Sequence, residues 1–193
     1  MAQLTGSNKI KTAVFISGTG SNLKSLILFS KLKKSPISIN LIISNNSKSK
    51  GLKLGNIFKI KKKIFDFENK NLTETKIISE LKKNKIDLIC LAGFMKILSK
   101  KFINNFKGNI INIHPSLLPK FKGLNTHERV IQNKERYSGC TVHFVNSKLD
   151  SGKIVIQKKV KINKNDTPKT LAKKILTQEH ILYPKAILKI FSL

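Results

Sequence analysis

Two hydrophobic periods alternate along this chain. Short apolar runs at residues 12–16, 37–43, 63–67 and 87–92 have the length and β-branched content of strands. Between them, apolar residues recur at helical spacing. Leu23, Leu26, Ile27 and Leu32 form one such face, a segment at about 49–58 a second, and Ile77, Ile78 and Leu81 a third, in a helix opened by Thr73 and running to Lys83. The run at 87–92 is almost wholly apolar, as a central parallel strand is when both of its faces are covered. Strand and helix in alternation predict an α/β fold with a doubly wound, mostly parallel sheet.

The second half continues in both periods. A helix around 99–106 leads into the stretch from Gly108 to Pro119, where Ile110, Ile111 and Ile113 read as a buried strand that Pro115 ends. After a loop at 121–124, Asn125 or Thr126 caps a helix to Asn133. Residues 138–145 read as a strand, 147–152 as a turn holding Asp150, and 153–161 as a less buried strand with alternating Ile154, Ile156 and Val160. Thr167 and Pro168 open the last helix, which carries Leu171, Ile175, Glu179 and His180 before Tyr183-Pro184. Residues 1–11 are polar and read as a loose N-terminal segment, and residues 12–193 as one domain.

Polar residues break this pattern at two places. Asn112 and His114 interrupt the end of the central strand two residues apart, so they share one of its faces. In α/β sheets, ligands sit at such C-terminal strand ends. Ser17-Gly18-Thr19-Gly20-Ser21-Asn22 joins the first strand to the first helix. Its glycines let the main chain approach a phosphate, the helix start offers free N–H groups, and Ser21 and Asn22 add side-chain donors. Leu23 stands where a dinucleotide fingerprint has its third glycine, and no Gly-Lys-Ser/Thr follows, so a mononucleotide or sugar phosphate fits better. A glycine turn also serves packing alone, and by itself the motif leaves both readings open. Met95, Lys96, Ile97 and Leu98 follow the 87–92 strand, where apolar residues are either core or the wall for a flat apolar ligand.

Composition changes the picture in one respect. The formal net charge is +28, which suggests nucleic acid as a partner. The lysines are scattered, however, Arg129 and Arg136 are the two arginines, and 7% of residues are aromatic, with no tryptophan. Arginine forks and stacking rings are what nucleic-acid readers use. A lysine-rich coding background with no nucleic-acid partner is therefore the better reading, although the charge still draws anionic small molecules. No apolar run approaches the roughly 20 residues of a membrane span, and residues 1–11 hold no signal-peptide core. Cys90 and Cys140 lie in apolar runs without CxxC spacing, as buried thiols of a reducing cytoplasm do.

Seven blocks, in order over about residues 12–190, resemble the glycinamide ribonucleotide (phosphoribosylglycinamide) formyltransferases, a folate-dependent family of purine (IMP) biosynthesis. They fall at 16–23, 91–98, 112–119, 123–127, 139–145, 149–152 and 177–184. The resemblance implies a Rossmann-like formyltransferase fold with a phosphate-binding half at about 12–100 and a catalytic half at about 101–193. It implies a catalytic trio of Asn112, His114 and Asp150. Gly20, Ser21, Asn22 and Glu179 would bind the phosphate and ribose of the ribonucleotide. Met95, Lys96, Ile97 and Leu98, with Asn112, would line the folate pocket. The family arginine of that segment is Lys96 here, and another family arginine used towards the folate falls somewhere in the region 70–76.

The implied reaction moves the formyl group of 10-formyltetrahydrofolate, the cosubstrate, to the amine of glycinamide ribonucleotide. Asn112 would donate to the oxyanion, His114 would donate or shuttle the proton, and Asp150 would reach the histidine or an ordered water. A nearby carboxylate raises the pKa of His114 and desolvation lowers it, and the sequence leaves that balance open. No metal is expected, since the histidines lack ligand spacing. His143 reads as core or as support for the site, and His127 and His180 as non-catalytic. A monomer or homodimer in the cytoplasm is expected. The alternatives are a 10-formyltetrahydrofolate hydrolase or another folate-dependent formyltransferase and, more remotely, a basic nucleic-acid-binding protein.

Overall fold

The computed structural model describes residues 9–191. Within them, seven strands form one sheet: β1 (Ile10–Ile16), β2 (Ile37–Ser44), β3 (Lys61–Ile64), β4 (Leu88–Leu91), β5 (Asn109–His114), β6 (Tyr137–Phe144) and β7 (Ile154–Lys161). Their order is β3-β2-β1-β4-β5-β6-β7. The first five are mutually parallel, and β6 runs antiparallel to both of its neighbours, β5 and β7. The order reverses between β1 and β4, and at such a switch point a crevice opens beyond the C-terminal strand ends. The glycine turn after β1 and the segment after β4 meet there: Ser17 N–H donates to the Gly93 carbonyl at 3.1 Å, and Met95 N–H to Ser17 Oγ at 2.8 Å.

Among the described residues, six helices cover the sheet: α1 (Ser21–Ser30), α2 (Leu52–Ile57), α3 (Lys70–Lys83), α4 (Lys100–Asn105), α5 (Thr126–Gln132) and α6 (Pro168–Ile190). Two cores result. Ile111 and Ile113 of β5 join Leu23, Leu26, Leu171, Ile175 and Tyr183 on the α1 and α6 side. Ile110 joins Ile77, Leu81 and Phe102 on the α3 and α4 side. Asn112 and His114 have the parity of Ile110, so they close that face at the strand's C-terminal end. Cys90 and Cys140 are buried free thiols, and burial pushes both up to about 12.

Four expectations need correction. The part of the expected loose segment at residues 1–8 lies outside the described residues, but Ile10 and Lys11 already belong to β1. The third strand is Lys61–Ile64, rather than 63–67, and all four residues are exposed. It is an edge strand, where lysines are favoured because they discourage pairing with another chain. Phe67 instead packs edge-on against Phe94, ring centres 5.7 Å apart. Helix α3 starts at Lys70, ahead of Thr73, because Asn69 is the cap and accepts from Leu72 N–H at 3.1 Å. The last helix runs past Tyr183-Pro184 to Ile190. Pro184 has no N–H for the His180 carbonyl, and Ser25 Oγ of α1 donates to that carbonyl at 2.8 Å instead.

Candidate active site

Strand β5 stops pairing with β4 after the rung of Leu91 and Asn112, so its last residues face the crevice. His114 is 5% exposed. Its Nε2 lies 2.8 Å from the Phe121 carbonyl. A carbonyl only accepts, so Nε2 carries the proton and the neutral ring keeps its lone pair on Nδ1. Nδ1 stands 3.4 Å from Asp150 Oδ2. Burial lowers the pKa of His114, outweighing the Phe121 carbonyl and the Asp150 charge that raise it, so the ring is neutral at pH 7.

Asp150 comes from the turn before β7 and adopts φ 45°, the left-handed region that Asp tolerates better than most side chains. Gly123 N–H donates to its Oδ2 at 2.9 Å, and Asn112 Nδ2 lies 3.5 Å from its Oδ1. Burial pushes this carboxyl up. The Gly123 N–H and the polar groups around it pull it down further, so it stays ionised below the usual carboxylate range.

His143 belongs to this cluster. It faces Asn112 across the antiparallel β5·β6 ladder. Its Nδ1 lies 2.8 Å from the Phe144 carbonyl and so carries the proton, leaving Nε2 to accept from Asn112 Nδ2 at 3.3 Å. The same Nε2 stands 3.6 Å from Asp150 Oδ1. The β5·β6 register is the signal that reveals it, and a lone histidine within a strand does not carry that register. His127 and His180 have no hydrogen bond or ion pair with Asn112, His114 or Asp150 among the described residues. Each has one buried ring nitrogen without a partner, Nδ1 of His127 and Nε2 of His180.

The glycine turn does two things at once. Gly20, at φ 79°, is the cap residue of α1. A Cβ there would come within 2.6 Å of Gly51 Cα, so the turn packs on the start of α2. With no side-chain cap, the first N–H groups of α1 keep no internal acceptor and are open to an anion. Ser21 opens the helix at the crevice. Asn22 is turned inward: its Nδ2 donates to Glu179 Oε2 at 2.6 Å, and its buried Oδ1 has no partner. Asn22 thus leaves its main-chain N–H open and holds Glu179 through its side chain. Burial pushes Glu179 up to about 7, opposed by the Asn22 bond.

Met95 and Ile97 are 63% and 62% exposed, a large apolar surface beside the crevice. Lys96 between them is exposed too. Leu98 departs from expectation: its side chain is 5% exposed, buried in the α3 and α4 core rather than on the crevice wall. Among the described residues, no group of three or more His, Cys, Asp or Glu is arranged to hold a metal ion. No helix among them is long and apolar enough to cross a membrane.

A switch-point crevice with open helix N–H groups at one end and an Asn–His–Asp cluster at the other suits an enzyme that acts on an anionic small molecule. The sequence profile of the formyl transferase family matches residues 10–187, and the chain belongs to that family. The phosphoribosylglycinamide formyltransferase of Haemophilus influenzae is 41% identical over 180 residues, covering 92% of this chain and 85% of its own. The trifunctional purine biosynthetic protein adenosine-3 of Gallus gallus is 40% identical over 183 residues, and there the chain spans 18% of the relative's length. Among solved structures, phosphoribosylglycinamide formyltransferase from Brucella melitensis superposes with TM-score 0.89 at 40% identity, covering 95% of each chain. The Bacillus halodurans enzyme superposes with TM-score 0.90 at 34% identity, covering 94% of this chain and 95% of its own.

Proposed function

We propose that this enzyme transfers the formyl group of 10-formyltetrahydrofolate to the amine of N1-(5-phospho-D-ribosyl)glycinamide. The products are formylglycinamide ribonucleotide and tetrahydrofolate, in de novo purine biosynthesis. The observation that carries the reading is the convergence of Asn112, His114 and His143 on Asp150, at 3.5, 3.4 and 3.6 Å. The name shared by relatives that match nearly all of the chain supports the choice of substrate.

The ribonucleotide phosphate is held by the α1 N–H groups of Ser21 and Asn22 and by the serine hydroxyl. Glu179, in its ionised form, accepts from the ribose hydroxyls. The folate fits the shelf formed by Met95 and Ile97, since so much exposed apolar surface gains free energy when a flat ring covers it. The bound folate supplies the formyl carbon. Asn112 Nδ2, shared between His143 and Asp150 at 3.3 and 3.5 Å, turns its more weakly held hydrogen to the oxygen that becomes charged, a contact typically worth about 3 kcal/mol. His114 is neutral with a bare Nδ1, so it takes the proton that the attacking amine loses and returns it to the leaving nitrogen. Asp150 stabilises the imidazolium formed in between. The amine is itself the nucleophile, so no covalent enzyme adduct is required. The enzyme works in the cytoplasm as a monomer or homodimer.

The test is loss of 10-formyltetrahydrofolate with and without the ribonucleotide. Consumption that depends on the amine is expected, and equal turnover in water alone makes the protein a hydrolase. Asp150→Asn keeps the Gly123 bond but removes the charge, so kcat is expected to fall by a factor on the order of 10² or more while the thermal melt changes little. A rate within threefold of the parent would remove Asp150 from the mechanism.

A further inference from the structure

Tyr183 on α6 has no part in the chemistry above, yet it reaches the point where the crevice begins. Its side chain is fully buried. Its hydroxyl lies 3.0 Å from the Leu91 carbonyl and 3.1 Å from the Ile111 carbonyl. A phenol has one proton, so the two oxygens share it. Leu91 and Asn112 form the last rung between β4 and β5. Beyond it the strands part. Ala92 stays with β1 through its bond to the Phe15 carbonyl at 2.9 Å, and Ile113 and His114 continue against β6.

We infer that Tyr183 is a positioning residue for the formyl transfer proposed above, holding the two peptide planes that carry the chain into the site. The Ile111 carbonyl belongs to the peptide that leads into Asn112. The Leu91 carbonyl belongs to the peptide that leads through Ala92 to Gly93 and Met95. Rotation of the first plane swings Asn112 and rotation of the second swings the segment bearing Met95, and small errors of placement are costly in rate. The other α6 residues in the same core, among them Leu182, Ala186 and Ile187, are apolar. A phenylalanine would fill the same space without burying a hydroxyl, so packing alone does not account for the oxygen. Tyr183 also lies one helical turn after Glu179, which is tied to Asn22 on α1. One face of α6 thereby links the ribonucleotide end of the crevice to the strand that carries Asn112.

Tyr183→Phe removes that oxygen alone. In the assay above, kcat is expected to fall about tenfold, with both Michaelis constants within about twofold. A hydroxyl that only stabilises the fold would lower the melting temperature and leave kcat unchanged, and that result overturns the inference. A second measurement needs no substrate. Amide hydrogen exchange at Ala92, which donates to the Phe15 carbonyl, and at Ile113 is expected to quicken at least tenfold in the variant, with Val14 and Ile42 unchanged. Equal exchange at Ala92 and Ile113 overturns the positioning role even if the chain proves not to use the ribonucleotide. An inactive parent with quickened exchange instead overturns the assignment of the reaction. Should Tyr183→Phe fail to fold, the chain's two tyrosines allow another route. Tyr137→Phe grown on 3,5-difluorotyrosine alters the hydroxyl of residue 183 alone. A changed kcat with constant Michaelis constants, relative to unlabelled Tyr137→Phe, supports the inference, and an unchanged kcat overturns it.

Discussion

Glu179, proposed above to bind the ribose, carries a cost in stability. It is 7% exposed and its one side-chain partner is the neutral Asn22 amide, so burial keeps its proton up to about pH 7. The folded protein holds that proton more tightly than the unfolded chain, whose carboxyl titrates near 4.5. Between those values, rising pH therefore weakens the fold, by roughly 3 kcal/mol in all for a shift of this size. Glu179→Gln is expected to stabilise the protein at pH 8, with the gain fading towards pH 4.5, as denaturant melts across that range would measure. The same substitution should remove the pH dependence of binding. In the parent, the Michaelis constant for the ribonucleotide should rise as pH falls through about 7, when the acceptor becomes protonated. In Glu179→Gln it should be high and flat. A parent constant that does not change between pH 6 and 8 would detach Glu179 from the ribose.

At the scale of elements, the site depends on main-chain irregularities that neighbours make tolerable. Helix α6 passes through Pro184 because Ser25 of α1 takes over the His180 carbonyl that the proline leaves without a donor. Ser25→Ala leaves that acceptor inside the helix pair, and a loss of about 1–2 kcal/mol in a urea melt is expected. A change below about 0.3 kcal/mol would mean that water already serves the carbonyl. The turn bearing Asp150 closes in a comparable way. A Cβ on Gly152 would come within 1.7 Å of the Phe144 carbonyl, so only glycine lets this turn lie against the end of β6. The close approach brings Asp150 to His114 and His143.

At the scale of the whole molecule, charge is the distinctive property. Thirty-eight basic residues face ten acidic ones, and like charges oppose the compact state. Salt screens this repulsion over a Debye length of about 10 Å at 0.1 M. The melting temperature is therefore expected to rise by a few degrees between 0.05 and 0.5 M sodium chloride. Over the same range the Michaelis constants for both anionic substrates should increase, because the field that concentrates them weakens. A melting temperature that falls with salt would show that specific ion pairs outweigh the net repulsion.

By itself the sequence determined the alternation of strands and helices, the start of α1 at a glycine turn, and the pairing of Asn112 with His114 on one strand face. These are local facts, set by a period of two or 3.6 residues and by the chemistry of a helix start. Its seven motif blocks also carried the family. Other features were decided by partners distant in the chain. Lys61–Ile64 became an edge strand because β2 lay beside it, and α6 ran through a proline because α1 supplied a hydroxyl. The antiparallel register brought His143 opposite Asn112, and burial left His114 neutral with its open nitrogen towards Asp150. Register and desolvation depend on what lies across the fold, and a linear pattern of residue types contains neither.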